Sequence, residues 1–201
     1  MLNKEYPDRS WTCAESAWFR RPSDPFGRFH NFCVEMPFAV HSVDLLTSEH
    51  LYQALRFPHL PEVQLQILCS PTPKGCKLIA REHDARTRED WLDVRVDVMR
   101  WVVACRVIAY PNTLGDLLRA TEQMPIVEYS KRDQFWGAGP VDGDCERLQG
   151  QNVLGCLIGE IREVWLQDPA LERLRTPRFA DALLLEEELT AHRVPKCGES
   201  F

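Results

Sequence analysis

The sequence predicts an α+β chain, predominantly helical with a small sheet. Apolar residues recur at helical spacing over two long stretches, 88–105 and 152–165, whereas strand-like runs are few and short. The 201 residues, 44% hydrophobic and 27% charged, form an ordinary globular mixture. A chain this long buries roughly 70% of its unfolded surface, so it needs neither disulfide nor metal to hold a core.

In chain order, Trp18-Phe19 and the run 38–43 read as short strands, separated by a proline- and glycine-punctuated loop over 22–32. Thr47-Ser48 offers hydroxyl caps to a helix over 49–57, stopped by Pro58, with Glu49 in the first turn, where the backbone dipole favours a carboxylate. Prolines 58, 61, 71 and 73 bracket 63–68, which suits a short helix or a strand and is read as a helix. Over 88–105, Trp91, Val94, Val98, Trp101, Val102 and Cys105 mark one helical face.

A short helix over 114–121 and a strand over 126–129 follow. The glycine-bearing stretch 133–150 reads as one long loop. Val153, Leu154, Leu157, Ile158, Ile161 and Trp165 then predict an amphipathic helix over 152–165. Asp168-Pro169 reads as a helix cap, and a helix over 179–192 carries Leu183-Leu184-Leu185, before a polar tail at 195–201.

The charge is −6, which disfavours a protein whose affinity comes mainly from neutralising a phosphate backbone. No apolar run approaches a membrane span, and Met1–Pro7 lacks the apolar stretch of a secretory signal, so the expectation is a soluble cytoplasmic protein without a membrane partner. The eight cysteines form no Cys-x-x-Cys pair and no zinc spacing; Cys105 and Cys156 read as small core side chains. Among six scattered histidines only His50 has noteworthy neighbours. Arginines outnumber lysines 19 to 5.

Candidate chemistry sits at element boundaries. Glu49 opens a helix, Asp133 and Trp136 lie in the glycine-containing loop, and Asn31 stands among aromatics. One carboxyl beside aromatics and a second that stays charged suit glycosidic chemistry, and a loop tryptophan offers a stacking surface. An acid in a helical first turn is most often a cap, and a tryptophan beside glycine is most often packing.

Five blocks together resemble one family. They are Phe29-His30-Asn31-Phe32; Thr47-Ser48-Glu49-His50-Leu51-Tyr52-Gln53-Ala54; Asp90-Trp91 with Val98-Met99; Asp133-Gln134-Phe135-Trp136-Gly137; and Gly150-Gln151-Asn152-Val153-Leu154-Gly155. In this order they resemble the NADAR (YbiA-like) family. The resemblance implies an N-glycosidase fold, mainly helical with a small sheet, over residues 18–166, leaving 167–201 as a helical extension and polar tail.

It further implies cleavage of the bond between ribose and an exocyclic amine of a flat heterocycle, without cofactor or metal. The expected substrates are ribosylamino-pyrimidine phosphates of riboflavin biosynthesis. The alternatives are ADP-ribosyl-guanine in nucleic acid, or a non-catalytic module that binds ADP-ribose or a nucleotide. On this resemblance Glu49 is the principal acid/base and Asp133 the second carboxylate. Trp91 and Trp136 form aromatic walls, and Asn31, Tyr52, Gln53 and Asn152 position hydroxyls or phosphate. Gly137, Gly150 and Gly155 would admit backbone to the ligand. Arg106 stands where the family typically has a lysine; it binds phosphate but cannot form an imine, which leaves direct hydrolysis, another lysine such as Lys131, or lost activity.

Overall fold

A computed structural model describes residues 5–192. Its helices are α1 (Ser48–Ala54), α2 (Pro61–Leu68), α3 (Pro73–Glu82), α4 (Trp91–Ala109), α5 (Leu114–Ala120), α6 (Val153–Gln167) and α7 (Glu172–Arg175). Its strands are β1 (Arg9–Thr12), β2 (Ala17–Phe19), β3 (Phe38–Val40), β4 (Val43–Leu45), β5 (Ile126–Glu128), β6 (Gly139–Val141), β7 (Asp144–Gly150), β8 (Leu183–Leu184) and β9 (Glu187–Glu188). The polar tail expected over 195–201 lies outside the described residues. The chain divides into two compact units, one made of Met1–His30 with Asn112–Gln167, the other of Asn31–Pro111 with Asp168–Phe201.

In the first unit β1, β7 and β6 form an antiparallel sheet, and β2 pairs in parallel with β5, Ala17 facing Ile126. Helix α6 buries the expected stripe of Val153, Leu154, Leu157, Ile158, Ile161 and Trp165, while Cys156 is only half-buried. The stretch 133–150 is not one loop. Asp142 (φ 50°) and Gly143 (φ 81°) make a tight turn between β6 and β7, the Asp-Gly signal of a hairpin. A buried arginine, Arg162, ties α6 to the end of α5 through Thr121 Oγ1 (2.8 Å) and Met124 O (2.9 Å).

In the second unit the run 38–43 breaks into the β3–β4 hairpin, with His41 at φ 53° in the turn. Helix α4 begins at Trp91, three residues after the expected start at 88, and continues past the expected end at 105 to Ala109. Its second half is buried on every side, so the apolar stripe widens and the period that would mark its end disappears. Helix α3 carries no expectation from the sequence, because Pro71 and Pro73 read as breakers. Pro73 instead occupies the first helical position, where it loses no hydrogen bond, and Thr72 Oγ1 caps the helix by accepting from Gly75 N at 3.0 Å.

The expected helix over 179–192 is replaced by the β8–β9 hairpin, turning at Leu185 (φ 50°) and Glu186 (φ 70°). Tertiary bonds override local propensity here. The Gln64 amide donates to Leu183 O (2.9 Å) and accepts from Leu185 N (2.7 Å), positions a helix would have closed on itself. Asp168 does act as a cap, accepting from Ala170 N and Glu172 N, but the helix that follows is only α7. Among the described residues no helix is long and apolar enough to cross a membrane.

Candidate active site

In the second unit, α1 is buried along its whole length and sets the site. His50 anchors it: Nδ1 pairs with Thr47 Oγ1 at 2.8 Å and Nε2 with Ser70 O at 3.0 Å. Burial lowers the imidazole's pKa, and a neutral ring with Nε2–H donating to the carbonyl satisfies both contacts. His50 is therefore a structural pin, and Thr47 serves it rather than capping the backbone.

Glu49, on the next position, is only 5% exposed. One turn along, Gln53 Nε2 donates to Glu49 Oε1 at 2.8 Å, and Gln53 Oε1 accepts from Arg56 at 3.0 Å. Arg56 in turn donates to Thr87 Oγ1 (2.9 Å) and pairs with Asp84. The amide of Gln53 is thus fixed from both ends and can only present its N–H to the carboxylate. On the same oxygen, Lys77 Nζ stands 3.9 Å away with its side chain 48% exposed. A buried carboxylate thus faces a half-exposed ammonium. The neighbouring Cys76 thiol is pushed up by burial first and by the Glu49 charge second, so it is no nucleophile.

Tyr52 and Trp91 meet with ring centroids 5.1 Å apart, and the Arg56 guanidinium lies 5.7 Å from the Trp91 ring centre. Asn31 joins this group through its backbone, whose carbonyl accepts from Glu49 N at 3.2 Å, while Nδ2 points to Met99 Sδ. Arg106 behaves differently from a ligand-facing arginine. It is 1% exposed within α4, and burial brings its pKa down to about 10, with Cys33 nearby opposing that shift. It remains a cation at neutral pH, shielded from solvent.

The other expected residues cluster in the first unit. Asp133 Oδ1 accepts from Trp136 N (3.0 Å), Asp133 O accepts from Gly137 N (3.2 Å), and the Trp136 ring packs edge-on against Phe135. Asn152, in the left-handed region at φ 49°, uses both ends of its amide on β5: Oδ1 accepts from Glu128 N and Nδ2 donates to Ile126 O. The glycines permit backbone to meet backbone. A Cβ on Gly137 would lie 2.6 Å from Glu128 O, on Gly150 2.5 Å from Gly137 O, and on Gly155 2.1 Å from Ile126 O. Lys131 is exposed.

The structure therefore brings Glu49, Tyr52, Gln53, Trp91 and the Asn31 backbone together in one unit, and Asp133, Trp136, Gly137 and Asn152 together in the other. Sequence reasoning missed Lys77 and Arg56. Arg56 stands three residues after Gln53 and seven after Glu49, a helical spacing that was available. Lys77 was hidden because α3 itself was not recognised.

The chain is 32% identical over 159 residues to a riboflavin biosynthesis protein of Vibrio vulnificus, covering 79% of this chain but only 41% of that protein. It is 30% identical over 145 residues to the N-glycosidase YbiA of Escherichia coli, covering 72% of this chain and 85% of the relative. The NMR structure of E. coli YbiA superposes with a TM-score of 0.65 at 27% identity, over 78% of this chain and 89% of YbiA. The NADAR domain is matched over residues 18–165, a span that holds Glu49 with its partners and the Asp133 loop alike. With that match running over most of its length, the chain belongs to the NADAR domain family.

Proposed function

We propose that this protein is an N-glycosidase that hydrolyses the bond between ribose and an exocyclic amine of a heterocycle, and that its substrates are ribosylamino-pyrimidine phosphates. The class, a hydrolase acting on N-glycosyl bonds, is that of its named relatives. The pyrimidine substrate is supported by the riboflavin biosynthesis names of the Vibrio and maize relatives, of whose lengths the chain spans 41% and 24%, and by its net charge of −6.

The observation that carries the reading is the pair of Glu49 and Lys77 with Gln53 on the same carboxylate oxygen. As the C1′–N bond stretches, positive charge grows on the sugar and the Glu49 carboxylate stabilises it. Lys77 delivers a proton to the departing amine, and water adds to C1′, giving its proton to Glu49. Glu49 then returns a proton to the Lys77 amine, which restores the starting state and releases ribose 5-phosphate and the free amino-heterocycle. Gln53, itself fixed by Arg56, holds the carboxylate, and Tyr52 with Trp91 offers an aromatic face to the flat leaving group. Asp133 acts in this scheme by shaping the Trp136 loop. Arg106 in place of the family's lysine does not remove the amine from the site, because Lys77 supplies one.

The test compares wild type with Glu49→Gln on a ribosylamino-pyrimidine phosphate and, separately, on ADP-ribosylated guanine, with released sugar quantified. Turnover of the first that disappears in Glu49→Gln is the expected result. Turnover of only the second transfers the same chemistry to the ADP-ribosyl alternative. Absence of both, with ADP-ribose binding retained, replaces the enzyme by a binding module.

A further inference from the structure

Residues 168–192 lie beyond the matched family domain, yet the second unit's own buried polar groups hold them along their length. Trp101 Nε1 donates to Arg175 O at 2.8 Å, and the Gln64 amide clasps Leu183 and Leu185. Within the segment, Arg175 donates to Ala170 O and His192 O, and Leu171, Leu184 and Leu189 are buried. The segment is thus a strap laid along this unit.

Arg88 is where the strap meets the site. Its guanidinium donates to Ala180 O at 2.8 Å and Asp181 O at 3.4 Å, and it forms a bidentate pair with Asp90 at 2.5 and 2.9 Å. Its backbone N–H donates to Arg56 O at 2.9 Å, and its carbonyl accepts from Trp91 N at 3.2 Å. Strap carbonyls therefore fix a residue that touches the backbone of both Arg56 and Trp91. Arg56 holds Gln53, and Gln53 holds Glu49.

We propose that Arg88, locked by the 168–192 strap, is a positioning residue for the Arg56–Gln53–Glu49 array and for Trp91. This inference rests on the glycosidase reading for its effect on turnover, but not for its effect on geometry. A bidentate guanidinium with further bonds to two carbonyls has little freedom, and that rigidity passes to the two backbone groups it touches. Misplacing a reacting carboxylate by a fraction of an ångström lowers the rate without a matching loss of binding.

The experiment uses the full chain with Arg88→Gln, the milder Arg88→Lys, Leu184→Asp within the strap, and exposed Arg147→Gln as control. Two quantities are read: kcat and KM on whichever substrate the wild type turns over, and the Gln53 side-chain amide resonances, assigned by their loss in Gln53→Glu. In Arg88→Gln and Leu184→Asp the Gln53 resonances shift and kcat falls roughly ten-fold at nearly constant KM, with Arg88→Lys between them and wild type. The double variant Arg88→Gln with Leu184→Asp is no worse than its more severe single, because both break one linkage. Arg147→Gln changes neither quantity. Unmoved Gln53 resonances, or losses that add in the double variant, overturn the proposal. If the wild type turns over neither substrate, the glycosidase reading fails and the Gln53 resonances alone decide: shifted they support the buttress, unshifted they overturn it.

Discussion

Lys77 decides what Glu49 can do. Alone, a buried carboxylate on a first helical turn is a cap or a charge stabiliser; opposite an ammonium 3.9 Å away it has a partner for the proton exchange proposed above. The two roles of Lys77, charge and proton donor, separate by substitution. Lys77→Arg keeps the charge but has no proton to release at neutral pH, whereas Lys77→Met loses both. If proton delivery is the role, both variants lose on the order of 100-fold in kcat. Steady-state rates on the substrate of the wild-type enzyme make the measurement, and near-normal turnover by Lys77→Arg would reduce the lysine to an electrostatic partner. Asn152 shows the opposite lesson. Its amide looks like a ligand group in sequence, but both ends pair with β5 and its backbone is left-handed, so it shapes a corner.

At the scale of elements, what the sequence reveals depends on how many faces an element buries. Helix α6 and the first half of α4 are one-sided, so their period is legible; the second half of α4 is buried all round and its end is not. Helix α3 and the β6–β7 hairpin are illegible for a different reason: Pro73 and Gly143 read as breakers, where one starts a helix and the other turns a hairpin. The β8–β9 hairpin was illegible because its partner is Gln64, more than a hundred residues away. Glu49, Tyr52, Gln53 and Trp91 were legible through motif resemblance, but the lysine on an unrecognised helix was not.

Two glycines of this architecture separate conformational from steric demand. Gly143 has φ 81° and open space around a Cβ, so Gly143→Ala costs only the strain of that backbone, about 1 kcal/mol. In Gly155→Ala the new Cβ would lie 2.1 Å from Ile126 O, and backbone must move at a cost of about 3 kcal/mol. Denaturant midpoints at a constant slope measure both, and equal losses at the two positions would contradict the packing of α6 on β5.

For the molecule as a whole, response to acid follows from which groups the fold keeps neutral. His192 is fully buried beside Arg175, and burial, then Arg175, then His41 lower its pKa from 6.5 to about 4. The unfolded chain therefore takes up this proton before the folded one does. Stability is complete above about pH 6.5, declines as the pH falls towards 4, and loses about 3 kcal/mol from this group once both states are protonated. His50, lowered in the same direction by burial, adds to the loss. Asp90 acts in a lower window: its hydrogen bonds from Arg88 hold the carboxyl below 3.8, so its contribution is retained above that pH, declines as the pH falls below it, and is gone once the folded carboxyl is protonated too. These two histidines thus contribute to the loss of stability between pH 6.5 and 4, and part of that loss belongs to the strap that His192 closes through its backbone bonds with Arg175. His192→Leu keeps an apolar side chain in that position and removes the titration. Melting temperatures of the variant fall less steeply across this interval than those of the wild type, while the two run parallel below pH 4; identical slopes in the upper interval would show that the imidazole of His192 is already accessible to protons in the folded state.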